Sequence, residues 1–311
     1  MSTQTPARPF AQGVERPPTR DLGLLFVALM AVSTSGPLIA ATAAPALAIA
    51  FWRNALSGAV LTPVVLVRRR AELLGLDRRE RGLALLAGLF LAVHFATWIP
   101  ALTYTSVASA TALVATQPVW SALIGRLRGQ AISGRVWLGI AVAMTGALLL
   151  TGADLQVSGR ALLGDGLAVV GGLFAALYVT AGSEVRRSVT TTTYTAVCYT
   201  TTALLLLAVC LLGGQRLHGY AGIDWLKLIA LTAGAQLLGH SLFNVVLRTT
   251  SPTVVSLSIL FEIPGAALIA GLFVKGQHVP LLAVPAAVLL VAGLSLVIRA
   301  AGSAEPSVPV E

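Results

Sequence analysis

Charge is scarce in this chain. Only 12 of 311 residues are acidic and 11% are charged at all, whereas 56% are hydrophobic. With a mean hydropathy of +0.86, that balance excludes a soluble domain of this length. Cysteine is nearly absent too. Cys198 and Cys210 are the only two, and at 1.5 Å per helical residue they lie about 18 Å apart. That is out of reach of a disulfide, so both read as apolar filler. The chain has four histidines and no cluster with metal-ligand spacing, so no metal is expected. It also lacks a Walker lysine. The fragment Gly164-Asp165-Gly166 is not a nucleotide loop, because Val169 stands where the third glycine belongs. With neither a nucleophile beside a base nor paired carboxylates, no enzyme and no cofactor are expected.

Long apolar runs are what the chain has instead. Ten are of the length a helix needs to cross about 30 Å of hydrocarbon: 22–40, 46–67, 82–103, 107–126, 135–152, 161–182, 191–212, 226–247, 252–274 and 279–299. The expected fold is therefore an all-α integral membrane protein of ten transmembrane helices. The ends, 1–21 and 300–311, are rich in Pro, Ser and charge and are expected to be disordered tails. Arg residues before the first run, with small residues after it, also fit a signal peptide. That reading is rejected because the first run has a partner in an internal repeat.

A formal charge of +9 raises the question of nucleic acid, and the positions of the 21 basic residues answer it. With the N-terminus cytoplasmic, 16 of them, among them Arg68, Arg69, Arg70, Arg78, Arg79, Arg81, Arg126, Arg128, Arg186, Arg187 and Arg248, fall on the inner side. Outside lie Arg160, Arg216, Lys227 and Lys275, and Arg53 is inside a span. This is the positive-inside rule, not a nucleic-acid surface. The expectation is a multi-pass protein of the plasma (inner) membrane with both termini cytoplasmic, monomeric, its partners the lipid bilayer and a small molecule.

Shifting the chain by 145 residues lays Thr105-Ser106 on Thr250-Ser251, Ala122-Leu123-Ile124 on Ala267-Leu268-Ile269, and Gln117 on Glu262. Pro118 and Pro264 then fall within one position of each other, and Asp21 answers Asp165. The expected repeats are 22–152 and 161–299. Five spans in each force the second copy to enter from the opposite side, so the halves are inverted, an architecture that transporters use.

The segments HFATWIPALTYTSVASATALVATQPVWSALIG and GHSLFNVVLRTTSPTVVSLSILFEIPGAALIAGLFVKGQ resemble the third-to-fourth and eighth-to-ninth helix regions of the drug/metabolite transporter superfamily, EamA type. The resemblance covers about residues 22–299. It implies ten helices, cytoplasmic ends, a central cavity, and export of amino acids, metabolites or drugs by alternating access. One departure stands out. The family's fourth and ninth helices commonly finish in Gly-Glu, whereas here the pairs are Gly129-Gln130 and Gly276-Gln277, so no role for that acid carries over.

Polar residues inside spans face protein or water, because lipid offers them no partner. His94 and Trp98 share a stripe with Phe90; Gln236, His240 and Asn244 form another; Gln117 and Trp120 share a face with Ser121, and Tyr194 one with Cys198. These stripes are expected to converge on one cavity. The competing reading for each amide, hydroxyl or histidine is interhelical glue, and for each tryptophan, core packing. Arg53 either snorkels to the interface or pairs with a substrate anion or Glu262. Glu184, beside Arg186 and Arg187, reads as a surface residue.

Glu262 is different. In mid-helix it costs about 3 kcal/mol to insert, and its counterpart Gln117 shows that the fold does not demand the charge. It is read as a substrate- or proton-binding acid, against the alternative of a neutral carboxylic acid donating a hydrogen bond. Pro118 and Pro264 are expected to kink their helices and free the carbonyls of Val114 and Leu260. The function reading is a secondary active exporter, proton-coupled through Glu262. An uncoupled carrier of the same fold, or a non-transporting scaffold or sensor, is the alternative.

Overall fold

A computed structural model describes residues 17–105, 107–151, 158–273 and 281–302. Most of both expected tails, together with Lys275 and Gly276-Gln277, lies outside the described residues. Within them every element is helical.

The first half holds α1 (Thr19–Val32), α2 (Ser35–Ala41), α3 (Ala46–Arg68), α4 (Arg70–Gly75), α5 (Arg78–Tyr104), α6 (Val107–Val114), α7 (Gln117–Leu127) and α8 (Gly134–Thr151). The second holds α9 (Gly159–Val185), α10 (Thr191–Leu212), α11 (Gly222–Leu231), a π-helical segment (Thr232–His240), α12 (Ser241–Val246), α13 (Pro252–Ile259), α14 (Glu262–Phe273) and α15 (Ala283–Gly302). Among the described residues eight spans are long and apolar enough to cross a membrane, and Gly134–Leu149 is a shorter apolar helix. The remaining expected span, 107–126, is split between α6 and α7.

Local chemistry sets the ends. Asp77 and Glu80 form a reciprocal capping box on α5, the Asp77 carboxylate accepting the Glu80 N–H at 2.6 Å and Glu80 accepting the Asp77 N–H at 3.0 Å. Ser158 and Ser251 cap α9 and α13 through their hydroxyls.

Helices pair across the halves. α5 runs along α9, α3 along α10, α8 along α15, and α1 along the π segment and α12. Exchanging each span with its repeat partner turns the α5–α9 pair into the α1–α12 pair and maps the α3–α10 and α8–α15 pairs onto themselves. That closure is what a pseudo-two-fold arrangement of two repeats requires. Small residues permit the approach: a Cβ on Gly293 would lie 2.5 Å from the Gly139 carbonyl oxygen, and one on Gly171 3.0 Å from Trp98 Cβ.

The prolines do more than kink. Pro118 stands in the first turn of α7 after a break at Ala115-Thr116, and Pro264 in the first turn of α14 after a break at Leu260-Phe261. Tight i to i−3 bonds bridge both breaks, Thr116 N–H to Leu113 O at 3.2 Å and Ile263 N–H to Leu260 O at 3.2 Å. The Leu260 carbonyl is therefore engaged, not free as expected. Proline removes the donor that would have continued the ladder, and the chain tightens its turn to keep the acceptor satisfied.

One face gathers the starts of α1 and α5 and the ends of α3, α7, α9 and α12, with Arg68, Arg79, Arg128, Arg187 and Arg248 upon it. On this arginine-rich face Glu184 corrects the sequence reading. It is buried, 7% exposed, and its carboxylate meets Arg128 at 2.9 Å, Arg79 at 3.4 Å and Arg187 at 3.7 Å. A carboxylate surrounded by three guanidinium groups from three chain segments tolerates burial that a lone one would not.

Candidate functional site

Arg53 is the largest fully buried side chain of α3, 1% exposed, so it does not snorkel. Its Nε donates to Gln236 Oε1 at 2.8 Å, its Nη1 to the Ser35 hydroxyl at 3.4 Å, and its Cζ lies 4.6 Å from the Phe95 ring centroid. Gln236 in turn donates to Asn54 Oδ1 at 3.2 Å, and Asn54 to the Ala50 carbonyl at 2.9 Å. The Nη2 group has no acceptor among the described residues. No described carboxylate lies within 4.0 Å of Arg53, although Glu262 acts on it electrostatically and is the foremost opposite charge to do so.

Around this cation stand the histidines. His94 shares a 2.9 Å hydrogen bond between Nδ1 and the Gly171 carbonyl and stacks on Trp98 at 5.8 Å with the rings 8° from parallel. Phe95 bridges the two halves: it is in contact with His94 at 4.9 Å and edge-on to His240 at 6.1 Å. Arg53 acts electrostatically on both histidines. His94 and His240 are separated by the same 146 residues as Pro118 and Pro264, so the repeat places one imidazole from each half beside one arginine. The buried Trp98 indole N–H has no acceptor. His94, Trp98, His240 and Glu262 are half-buried, in contrast to the sealed Arg53 and Gln236.

A second polar group lies beside the first. Asn244 donates to the Tyr178 hydroxyl at 2.8 Å and to the His240 carbonyl at 2.9 Å. Its Oδ1 and the Tyr194 hydroxyl are both buried without a partner, and they flank Gly182, whose added Cβ would lie 2.7 Å from the Tyr194 oxygen and 3.6 Å from Asn244 Oδ1.

Two residues of the expected cavity make bonds of their own. Gln117 donates to the Ser256 hydroxyl at 3.0 Å, with Ser121 2.8 Å from that same oxygen, and Trp120 donates to Thr116 at 3.1 Å. The two contacts to Ser256 tie α7 to α13, where a buried amide finds its partner, whereas the Trp120 bond stays within α7 and its cap residue Thr116. Glu262 stands elsewhere, at the first position of α14.

Sequence reasoning overlooked Ser35, Asn54 and Tyr178. Asn54 had a signal, an amide next to an arginine inside an apolar run. The π-helical stretch carrying Gln236 and His240 had none, although such segments recur at functional sites. An apolar groove of about 400 Å³, lined by Phe51, Gly58, Thr62, Pro63, Thr200 and Leu204, lies on the opposite side of α3 from Arg53 and its partners.

With that geometry in hand, comparison with known proteins is informative. The model of the EamA-like transporter family matches residues 21–152 and again residues 162–299. No curated protein matches the chain. One crystal structure superposes with a TM-score of 0.75 over 93% of this chain and 99% of its own, at 20% identity, a likeness of fold alone.

Proposed function

The chain belongs to the EamA-like transporter family, and on that premise we propose that it is a secondary carrier exporting small metabolites, amino acids or drug-like compounds by alternating access of two inverted halves. The observation that carries this reading is the unneutralised pair at its centre: a sealed Arg53 with one N–H group unsatisfied and a half-buried Glu262 in electrostatic reach but not in contact. Two opposite charges held apart suit a cargo with its own separated charges, its anionic end on Arg53 and Trp98 and its amine or a proton on Glu262. His94, His240 and Trp98 offer planar surfaces for its body. Asn244, Gln236 and Tyr194 support the wall, and Gln117, Trp120, Pro118 and Pro264 serve the hinge.

The same reading has ten membrane crossings in the repeats 22–152 and 161–299, a monomer in the plasma membrane, and the arginine-rich face with both tails toward the cytoplasm. Proton coupling belongs to it because Glu262 is an acid in the broken ninth span whose repeat counterpart, Gln117, is neutral. The test is purified protein in liposomes with an imposed pH gradient and labelled amino acids, organic cations and nucleosides. Gradient-dependent flux of a zwitterion is expected. Flux that ignores the gradient favours the uncoupled carrier, and none for any cargo favours a scaffold or sensor.

A further inference from the structure

We propose that Asp21 and Asp165 are alternating clasps, one for each broken span, and that the structure holds the clasp on the arginine-rich face shut and its repeat counterpart open. Asp21, buried in the first turn of α1, accepts the hydroxyls of Thr249 at 2.5 Å and Thr250 at 2.8 Å through Oδ2. Thr250 immediately precedes Ser251, the cap of α13. The start of α1 thus pins the start of the broken span that carries Glu262.

The repeat writes the same parts on the opposite face. Asp165, near the start of α9, answers Asp21, and Thr105, the first residue after α5, answers Thr250. The threonine is at hand, since a Cβ on Gly164, next to Asp165, would lie 2.8 Å from the Thr105 backbone nitrogen. Yet Asp165 Oδ1 is buried without a hydrogen-bond partner among the described residues. A buried carboxylate oxygen left unsatisfied is destabilised, and with Thr105 packed against the neighbouring Gly164 a small shift of the α5–α6 connection relative to α9 would let the threonine hydroxyl relieve it.

Because the halves are repeats of one another, the arrangement in which Asp165 engages Thr105 is the one in which the Asp21 end takes the open geometry. Each clasp therefore biases one equilibrium in the opposite sense. Both aspartates are positioning residues: they touch the hinges, not the cargo. Nothing in this inference depends on what the chamber binds.

The test uses the full chain in lipid nanodiscs without cargo, read by hydrogen–deuterium exchange at the two connections. Asp21→Asn is expected to raise exchange at residues 249–254 by about tenfold, the scale of a lost charged hydrogen bond, and to lower it at 107–113. Asp165→Asn should do the reverse, and the double variant should return the ratio of the two toward wild type. Thr250→Val and Thr105→Val are milder substitutes that give the same signs if an aspartate variant fails to fold. Loosening confined to each variant's own connection, or no change at either, overturns the proposal. Opposite shifts in a protein that moves no tested cargo would leave the clasps standing and remove only the transport reading.

Discussion

Arg53 Nε donates a hydrogen bond to Gln236 Oε1 at 2.8 Å, so a buried cation of α3 is held by a neutral amide on the π segment of the other half. The arrangement keeps the arginine charged and oriented without neutralising it. Gln236→Leu removes the acceptor while leaving the guanidinium buried, and is expected to cost about 1–3 kcal/mol. Adding Arg53→Met should recover part of that loss, because an apolar pair needs no partner. Thermal unfolding of the single and double variants in one detergent checks both signs.

Glu262→Gln places at the start of α14 the side chain type that Gln117 supplies at the start of α7. The fold already accommodates a glutamine at the equivalent break, so the variant is expected to remain folded. Flux driven by a pH gradient should disappear. Liposome uptake with and without the gradient, beside a thermal melt, separates lost coupling from lost structure.

On the arginine-rich face the three partners of Glu184 are unequal. Arg128 is 32% exposed at 2.9 Å, whereas Arg79 and Arg187 are 66% and 56% exposed at longer range, where solvent screens the pair to well under 1 kcal/mol. Arg128→Ala should therefore lower the melting temperature clearly, and Arg79→Ala hardly at all. Equal losses would mean that burial does not rank these pairs.

Glu72 gives a pH signature outside the spans. Burial pushes its carboxyl up, but the Thr190 N–H at 2.7 Å and the hydroxyls of Thr193 and Thr190 outweigh that and hold it below its ordinary value of 4.5. A carboxyl lowered in the folded state contributes stability that is complete above its unfolded value and lost as pH falls through the folded one. Glu72→Gln should therefore be less stable than wild type by roughly 1 kcal/mol at pH 7. The gap should close progressively below pH 4.5, which melts across a pH series would reveal.

Close approach makes a further contrast. A Cβ at Gly293 meets backbone atoms of α8, Gly139 O at 2.5 Å and Ala143 N at 2.6 Å, while one at Gly23 meets nothing within 4 Å. Gly293→Ala must push α15 away from α8, at about 1–3 kcal/mol, whereas Gly23→Ala should stay within about 0.5 kcal/mol of wild type.

Much of the architecture was legible beforehand. The repeat alignment of Pro118 with Pro264 located both breaks to within a few residues, because proline acts on its own backbone and needs no neighbour to do so. The polarity of Gln236, His94 and Asn244 marked them as inward-facing for a similar reason, since lipid cannot satisfy them, whereas Arg53 stood between the interface and a buried partner until its burial was seen. Glu184 was misread because neighbouring arginines in sequence suggested a solvated end, while its strongest partner, Arg128, comes from a distant segment. The depth of the breaks was also missed, a kink and a free carbonyl standing in for a tightened turn.

What the sequence determined by itself was the solvent and the repeat. Apolar run length sets which stretches fit a bilayer, and a shift of 145 residues exposes the duplication, both properties of the chain read along its own length. Only the tertiary structure decided which polar groups meet. It gave Gln117 to Ser256, Gln236 to Arg53 and Asp21 to Thr250, and it left Asp165 Oδ1 without a partner among the described residues. Helical periodicity tells which face a side chain occupies, but the partner on that face depends on which helix packs there, and packing is settled by the whole fold at once.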